Sequence, residues 1–116
     1  MEEVLRKLIE SDEVKEHRQL GIVDWKGNVA AWTGKEHFEW AGHVVGDHYV
    51  ALGSILAGPE VVEAMAKAFE TTKGELVDKL LAALEAGDRA GRDRRGKWSA
   101  AIIVVREKGR IWRLYI

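Results

Sequence analysis

The chain contains no cysteine, which excludes a disulfide framework, a thiolate metal site and a cysteine nucleophile. Proline occurs once, at Pro59. The longest unbroken apolar run, residues 100–105, falls far short of the roughly 20 residues that a bilayer-crossing helix needs. A membrane is therefore not an expected partner. No sign of charge dominates: 18 Lys+Arg face 19 Asp+Glu for a net −1, so the broad positive footprint of a nucleic-acid binder is missing. Nor does the start look like a secretory signal, because Met1-Glu2-Glu3-Val4-Leu5-Arg6-Lys7 is acidic and amphipathic, and a cytoplasmic location is expected. What remains is 116 residues at 47% hydrophobic, one domain's worth of an ordinary globular protein. Its charged fraction of 32% is enriched in the manner of thermophile proteins.

Local patterns divide residues 1–116 into the elements of a single α+β domain. Val4, Leu5, Leu8 and Ile9 share one helical face, with Glu2/Arg6 and Glu3/Lys7 spaced to pair at i,i+4. Residues 17–25 and 29–32 flank the turn Lys26-Gly27-Asn28 and predict a β-hairpin. A loop over residues 42–48 leads to a strand over 49–55. Gly58-Pro59 then opens a helix with proline at its first position. Thr72-Lys73-Gly74-Glu75 fits a capping box for a second helix, which Gly87 is placed to end with a left-handed cap. Beyond an Arg-, Asp- and Gly-rich loop, residues 98–106 and 110–116 predict a C-terminal hairpin.

This order predicts a mainly antiparallel sheet of about five strands with two long helices on one face. Because residues 100–105 do not alternate, both faces of that strand are expected to be covered. Two helices cover only one, so the other face calls for a partner sheet, most simply from a symmetric homodimer, with Trp25, Trp32, Trp40 and Trp112 available to cap part of it.

Several motifs occur in an ordered series: His17-Arg18-Gln19-Leu20-Gly21-Ile22-Val23-Asp24, Thr33-Gly34, Trp40-Ala41-Gly42-His43 and Leu56-Ala57-Gly58-Pro59-Glu60-Val61-Val62. Ala83-Leu84-Glu85-Ala86-Gly87, Asp93-Arg94-Arg95-Gly96 and Ser99-Ala100-Ala101 follow. From about Val4 to Arg106 the chain resembles the domain of unknown function 1028 family, whose members look like N-terminal-nucleophile (Ntn) hydrolases. The resemblance implies a layered αββα fold, here a partial one completed by dimerisation. It also implies amide hydrolysis by an N-terminal Thr, Ser or Cys carried on strands that precede the matched region. Those strands have no counterpart here, and a separate polypeptide is one possible source of them. The sequence reads Gly53-Ser54, Gly91-Arg92-Asp93 and Trp98 where the family usually has Gly-Asn, Gly-Gly-Asp and Gln. The expectation is a shortened, catalytically silent and self-associating relative. One alternative is an amide hydrolase completed by a partner chain or by an internal Ser or Thr; another is an anion-binding module that uses the Arg-rich loop 89–97.

Candidate site residues follow from residue type. Ser54, Thr33 and Ser99 are the candidate internal nucleophiles, each with a plainer reading as a small strand residue. His37, His43 and His48, with Asp47, could ligate a metal, but spacings of six and five match no standard ligand pattern, so no metal or cofactor is expected. Arg92, Arg94 and Arg95, in the cationic stretch 89–97, could hold an anion through side chains and glycine-flanked amides, or simply be solvated around a braced Asp93. Trp25, Trp32 and Trp112 are candidate interface residues, the first two positioned for cross-strand pairing.

Overall fold

The structure, a computed structural model, describes residues 1–36, 40–91, 100–105 and 111–115, with only the backbone of Ile55 and of 111–115 described. Its elements run α1 (Glu2–Glu10), a 3-10 turn at Lys15–His17, β1 (Gln19–Val23), β2 (Val29–Thr33), β3 (Trp40–Gly46) and β4 (Tyr49–Leu56). Then follow α2 (Pro59–Thr71), α3 (Leu76–Arg89), β5 (Ala101–Val105) and β6 (Ile111–Tyr115). The expected single sheet of about five strands is corrected here: the six described strands form three separate antiparallel ladders, β1–β2, β3–β4 and β5–β6. No helix among the described residues is long and apolar enough to cross a membrane.

The layers follow from side-chain alternation. On the β1–β2 ladder, Leu20, Ile22, Ala30 and Trp32 face α1 and enclose Leu5 and Ile9. The intervening residues Gln19, Gly21 and Thr33 face the other way, toward β3–β4, because successive strand side chains point to opposite faces. β1 lies over β4 and β2 over β3, a pairing that requires the two ladders to be stacked face to face rather than joined edge to edge. Gly21 makes this approach possible, since a Cβ there would stand 2.5 Å from Leu52 Cδ2. The far side of β3–β4 carries Val44, Tyr49, Ala51 and Leu56 against Val61, Val62, Ala66 and Phe69 of α2. The order is thus α1, ladder, ladder, helix pair. α3 packs beside α2 and supports β5.

Four local expectations change. The segment expected as a loop over 42–48 is strand β3 up to Gly46, leaving only Asp47-His48 as the turn. Its glycines are strand positions covered by aromatic rings: the Trp40 indole lies over Gly42 and the Tyr49 ring over Gly46, where any side chain would collide. Second, α3 is capped not by Thr72 but by Glu75, whose side chain meets the backbone of Asp78 while Glu75 N–H donates to Asp78 Oδ2 at 2.9 Å. Thr72 instead closes α2, its N–H donating to Ala68 O at 3.0 Å. Third, Gly87 lies inside α3, where a Cβ would come within 2.9 Å of Met65 Cγ, so it permits the close crossing of α2 and α3; the positive φ after the helix belongs to Gly91, at 125°. Fourth, β5 does alternate in exposure. Ile102 and Val104 are 4% and 7% exposed, whereas Ile103 and Val105 stand at 57% and 68%. Among the described residues, then, only one face of β5 is covered.

Candidate functional site

A polar cluster that joins residues distant in sequence lies between the two stacked ladders. Gln19 Nε2 lies 2.9 Å from Gly42 O, 3.0 Å from Gly53 O and 3.1 Å from Thr33 Oγ1. The two carbonyls can only accept, which fixes the amide orientation and leaves its two hydrogens shared among three acceptors. Thr33 Oγ1 also lies 2.8 Å from His43 Nδ1. The threonine hydroxyl can accept from Gln19 and either donate to His43 Nδ1 or accept from it, so the direction of the Thr33–His43 bond follows the imidazole tautomer. Alternation explains the convergence: Gln19 and Thr33 are register partners on one inner face, while His43 projects from the facing ladder. Ser54, paired with Ala41 in register, lies on the same facing surface.

Beside this cluster, Thr33, Gly34, Lys35, Trp40, Ala41, Gly42 and His43 line an open depression of about 460 Å³. A hydroxyl bonded to an imidazole beside a cleft is the geometry of an activated nucleophile and its base. Acyl transfer also needs N–H donors at the developing oxyanion. The three amides that follow Thr33 are committed elsewhere: Gly34 N–H donates to Arg18 O at 2.9 Å, Lys35 N–H to Glu16 Oε1 at 3.1 Å and Glu36 N–H to Glu16 O at 2.8 Å. The cluster therefore ties the ladders together and places a hydroxyl beside an imidazole, while the three described amides that follow Thr33 are engaged elsewhere.

The other sequence candidates are dispersed. His48 sits in the β3–β4 turn at φ 66°, 2.7 Å from Asp47 Oδ1, with its ring against Gly27 of the opposite hairpin tip. It does not join His43, and among the described residues no three His, Asp or Glu side chains cluster as a metal site. His37, Ser99, Arg92, Arg94 and Arg95 lie outside the described residues. Trp25 and Trp32 do not pair. Trp32 meets Leu20 in register, packs toward α1 and donates its indole N–H to Lys15 O at 3.0 Å, while Trp25 lies beyond the ladder, 90% exposed, with Lys26 Nζ 5.4 Å from its ring centre. The side chain of Trp112 lies outside the described residues.

Two titratable features brace the fold around this cluster. Tyr49 donates to Glu70 Oε1 at 2.6 Å, and burial, reinforced by that carboxylate, pushes its phenol up to about 12. In the β1–β2 turn, Asp24 accepts from the Asn28 side chain and from the amides of Asn28 and Lys26, which holds its carboxyl below the usual range. Sequence reasoning noted Gln19 only as part of a motif. The signal available was a polar residue on the face it shares with Gly21 and Thr33.

These features define a layered α+β protein with a polar cluster that joins two β ladders. Comparison supplies the family: the model for a family of unknown function, DUF1028, matches residues 1–116, and the chain belongs to it. A crystal structure of a Silicibacter pomeroyi protein of the same family superimposes with a TM-score of 0.90 at 33% identity, covering 99% of this chain and 49% of that one. The chain thus spans about half the length of this solved relative. No curated protein matches.

Proposed function

We propose that this chain is a self-associating, catalytically silent relative of the Ntn amidohydrolases, and that two copies bury the open face of their β5–β6 ladders against each other. The observation that carries the reading is the pair Ile103 and Val105, large aliphatic side chains standing in water on the face opposite the helices. Other strand faces find cover: β1–β2 meets α1 on one side, and β3–β4 meets α2, while the remaining faces of those ladders meet each other. A twofold arrangement lets one apolar patch cover its own copy. The order of helix, two ladders and helix pair supports the Ntn relationship, since it matches the αββα layering that the family resemblance implies. Silence is supported by the committed amides of Gly34, Lys35 and Glu36.

Native mass spectrometry over a concentration series tests the association. The wild-type chain is expected to form a dimer that Val105→Lys converts to a folded monomer. A wild-type monomer throughout, or a dimer indifferent to the substitution, refutes it. A second reading, hydrolysis by Thr33 with His43 as base, is favoured by their 2.8 Å contact. It predicts turnover of activated amide or ester substrates that disappears in both Thr33→Val and His43→Gln. Turnover with that dependence would replace the silent reading.

A further inference from the structure

We propose that Thr33 is an acyl-acceptor site: its hydroxyl takes one small acyl group from an activated donor, a thioester, acyl phosphate or aryl ester, and keeps it. This rests on the Thr33–His43 contact behind the hydrolytic reading and deepens that reading, by naming the donor class and the step at which the chemistry stops. Thr33 Oγ1 lies 2.8 Å from His43 Nδ1, and both residues line the open depression of about 460 Å³, a volume within the ordinary small-ligand range. With the imidazole hydrogen at Nε2, Nδ1 accepts the threonine proton. Gln19 Nε2, 3.1 Å from the same oxygen, holds the threonine in place from its register partner on β1. His43 is exposed, so a proton that it takes passes on to water.

The transfer balances within these groups. A bond forms between Thr33 Oγ1 and the acyl carbon, and the bond from that carbon to the leaving group breaks. The bonding pair departs with the leaving group as its anion, and the hydroxyl proton moves to His43 Nδ1. The leaving group explains why the reaction stops there. A thiolate, phosphate or aryloxide departs as a stable anion without a proton, whereas hydrolysis of the product has to expel the threonine alkoxide, a far stronger base. That second step calls for donors at the oxyanion, and the amides of Gly34, Lys35 and Glu36 are engaged elsewhere. A chain that stops at this point turns nothing over, as the silent reading requires. The lining matches the donor class: among the described residues around the depression Lys35 supplies a cation and no carboxylate is present, which favours an anionic leaving group, while Trp40, Ala41 and Gly42 offer apolar surface to a small acyl group.

The test incubates the 116-residue chain with p-nitrophenyl acetate and follows nitrophenolate release together with the sites of acetylation by peptide mass spectrometry. Release is expected to level off once each chain carries an acetyl group on Thr33, apart from slow labelling of lysines. Hydroxylamine should remove the Thr33 group, an ester, and leave lysine amides, whose equal labelling in every variant serves as the internal standard. His43→Gln should slow Thr33 labelling at least about a hundredfold, within the 10²–10⁴-fold that general-base assistance supplies. Thr33→Val should abolish labelling at that position, while Thr33→Ser, which keeps the hydroxyl, should retain it. Wild-type protein without a Thr33 adduct and without release overturns the proposal and leaves the silent reading standing. Continuous release with no adduct that accumulates also overturns it, in favour of hydrolysis. So does Thr33 labelling that His43→Gln leaves unchanged, since the hydroxyl would then react as any surface alcohol.

Discussion

The two ends of the molecule are built to different degrees of closure. From α1 to α2 every strand face meets another layer, and Gln19 and the Thr33–His43 contact tie the two ladders through their inner faces. The β5–β6 ladder rests on α3 through Ile102 and Val104 and leaves Ile103 and Val105 to solvent. The strands of the first region interleave glycine and polar residues with aliphatic ones, whereas β5 is aliphatic throughout. Closure in the first depends on glycine at close approaches and on a few polar contacts that fix how the layers face one another. Among the described residues the second carries apolar surface with no layer over it, which the proposed association would cover.

The sharpest way to break the comparison is to remove the one support of the open end. Val104→Asp places a carboxylate against the helix pair with no charged partner provided, at a cost of about 4 kcal/mol or more, and should leave little folded chain by circular dichroism. An unchanged melting curve would show that β5 does not dock as described. In the closed end, Leu5→Ala should cost about 2–5 kcal/mol, because the cavity opens under α1 where Ile9 and Ala30 complete the cluster. Chemical denaturation measures this, and a loss below about 1 kcal/mol would mean that α1 is peripheral.

Gln19→Ala is the smaller and more diagnostic change. It strips hydrogen bonds from two carbonyls and a hydroxyl, costs about 1–3 kcal/mol, and should raise hydrogen exchange in β1–β2 and β3–β4 together while β5 is unaffected. Exchange confined to β1 would show that the ladders do not depend on this contact.

The smallest effects come with pH. The Tyr49 phenol is raised in the folded chain, so its contribution is fully present below its ordinary value near 10 and is lost as pH rises through about 12. Asp24 behaves oppositely: its contribution is present above the ordinary carboxylate value of 3.8 and is lost as pH falls through the lowered one. Tyr49→Phe and Asp24→Asn should each flatten the matching limb of a stability–pH curve. Unaltered limbs would mean that neither group is held by its observed partners.

Periodic and punctuating residues carried most of what the sequence revealed. The α1 face, the β1–β2 turn at Lys26-Gly27-Asn28 and the Pro59 start of α2 were all legible because each is a local rule written in adjacent residues. β3 was hidden because Gly42 and Gly46 read as loop residues, and their actual cause, overlying rings from Trp40 and Tyr49, is visible only once the chain has folded. The caps of α3 misled for a related reason: Thr72 and Gly87 satisfy the motif, but Asp78 competes for the cap and Met65 needs the space beside Gly87. Thr33 and His43 were each recognisable as candidates by type. Their pairing was not, since it depends on two ladders stacking, a relation that no spacing along the chain encodes.

The open face of β5 is tested most directly by native mass spectrometry of the wild-type chain beside Val105→Lys at matched concentrations. The account predicts a wild-type dimer and a monomeric variant whose thermal stability as a monomer changes by no more than about 0.5 kcal/mol, as for an ordinary surface substitution. A wild-type chain that stays monomeric at high concentration, or a variant that dimerises equally well, would contradict it.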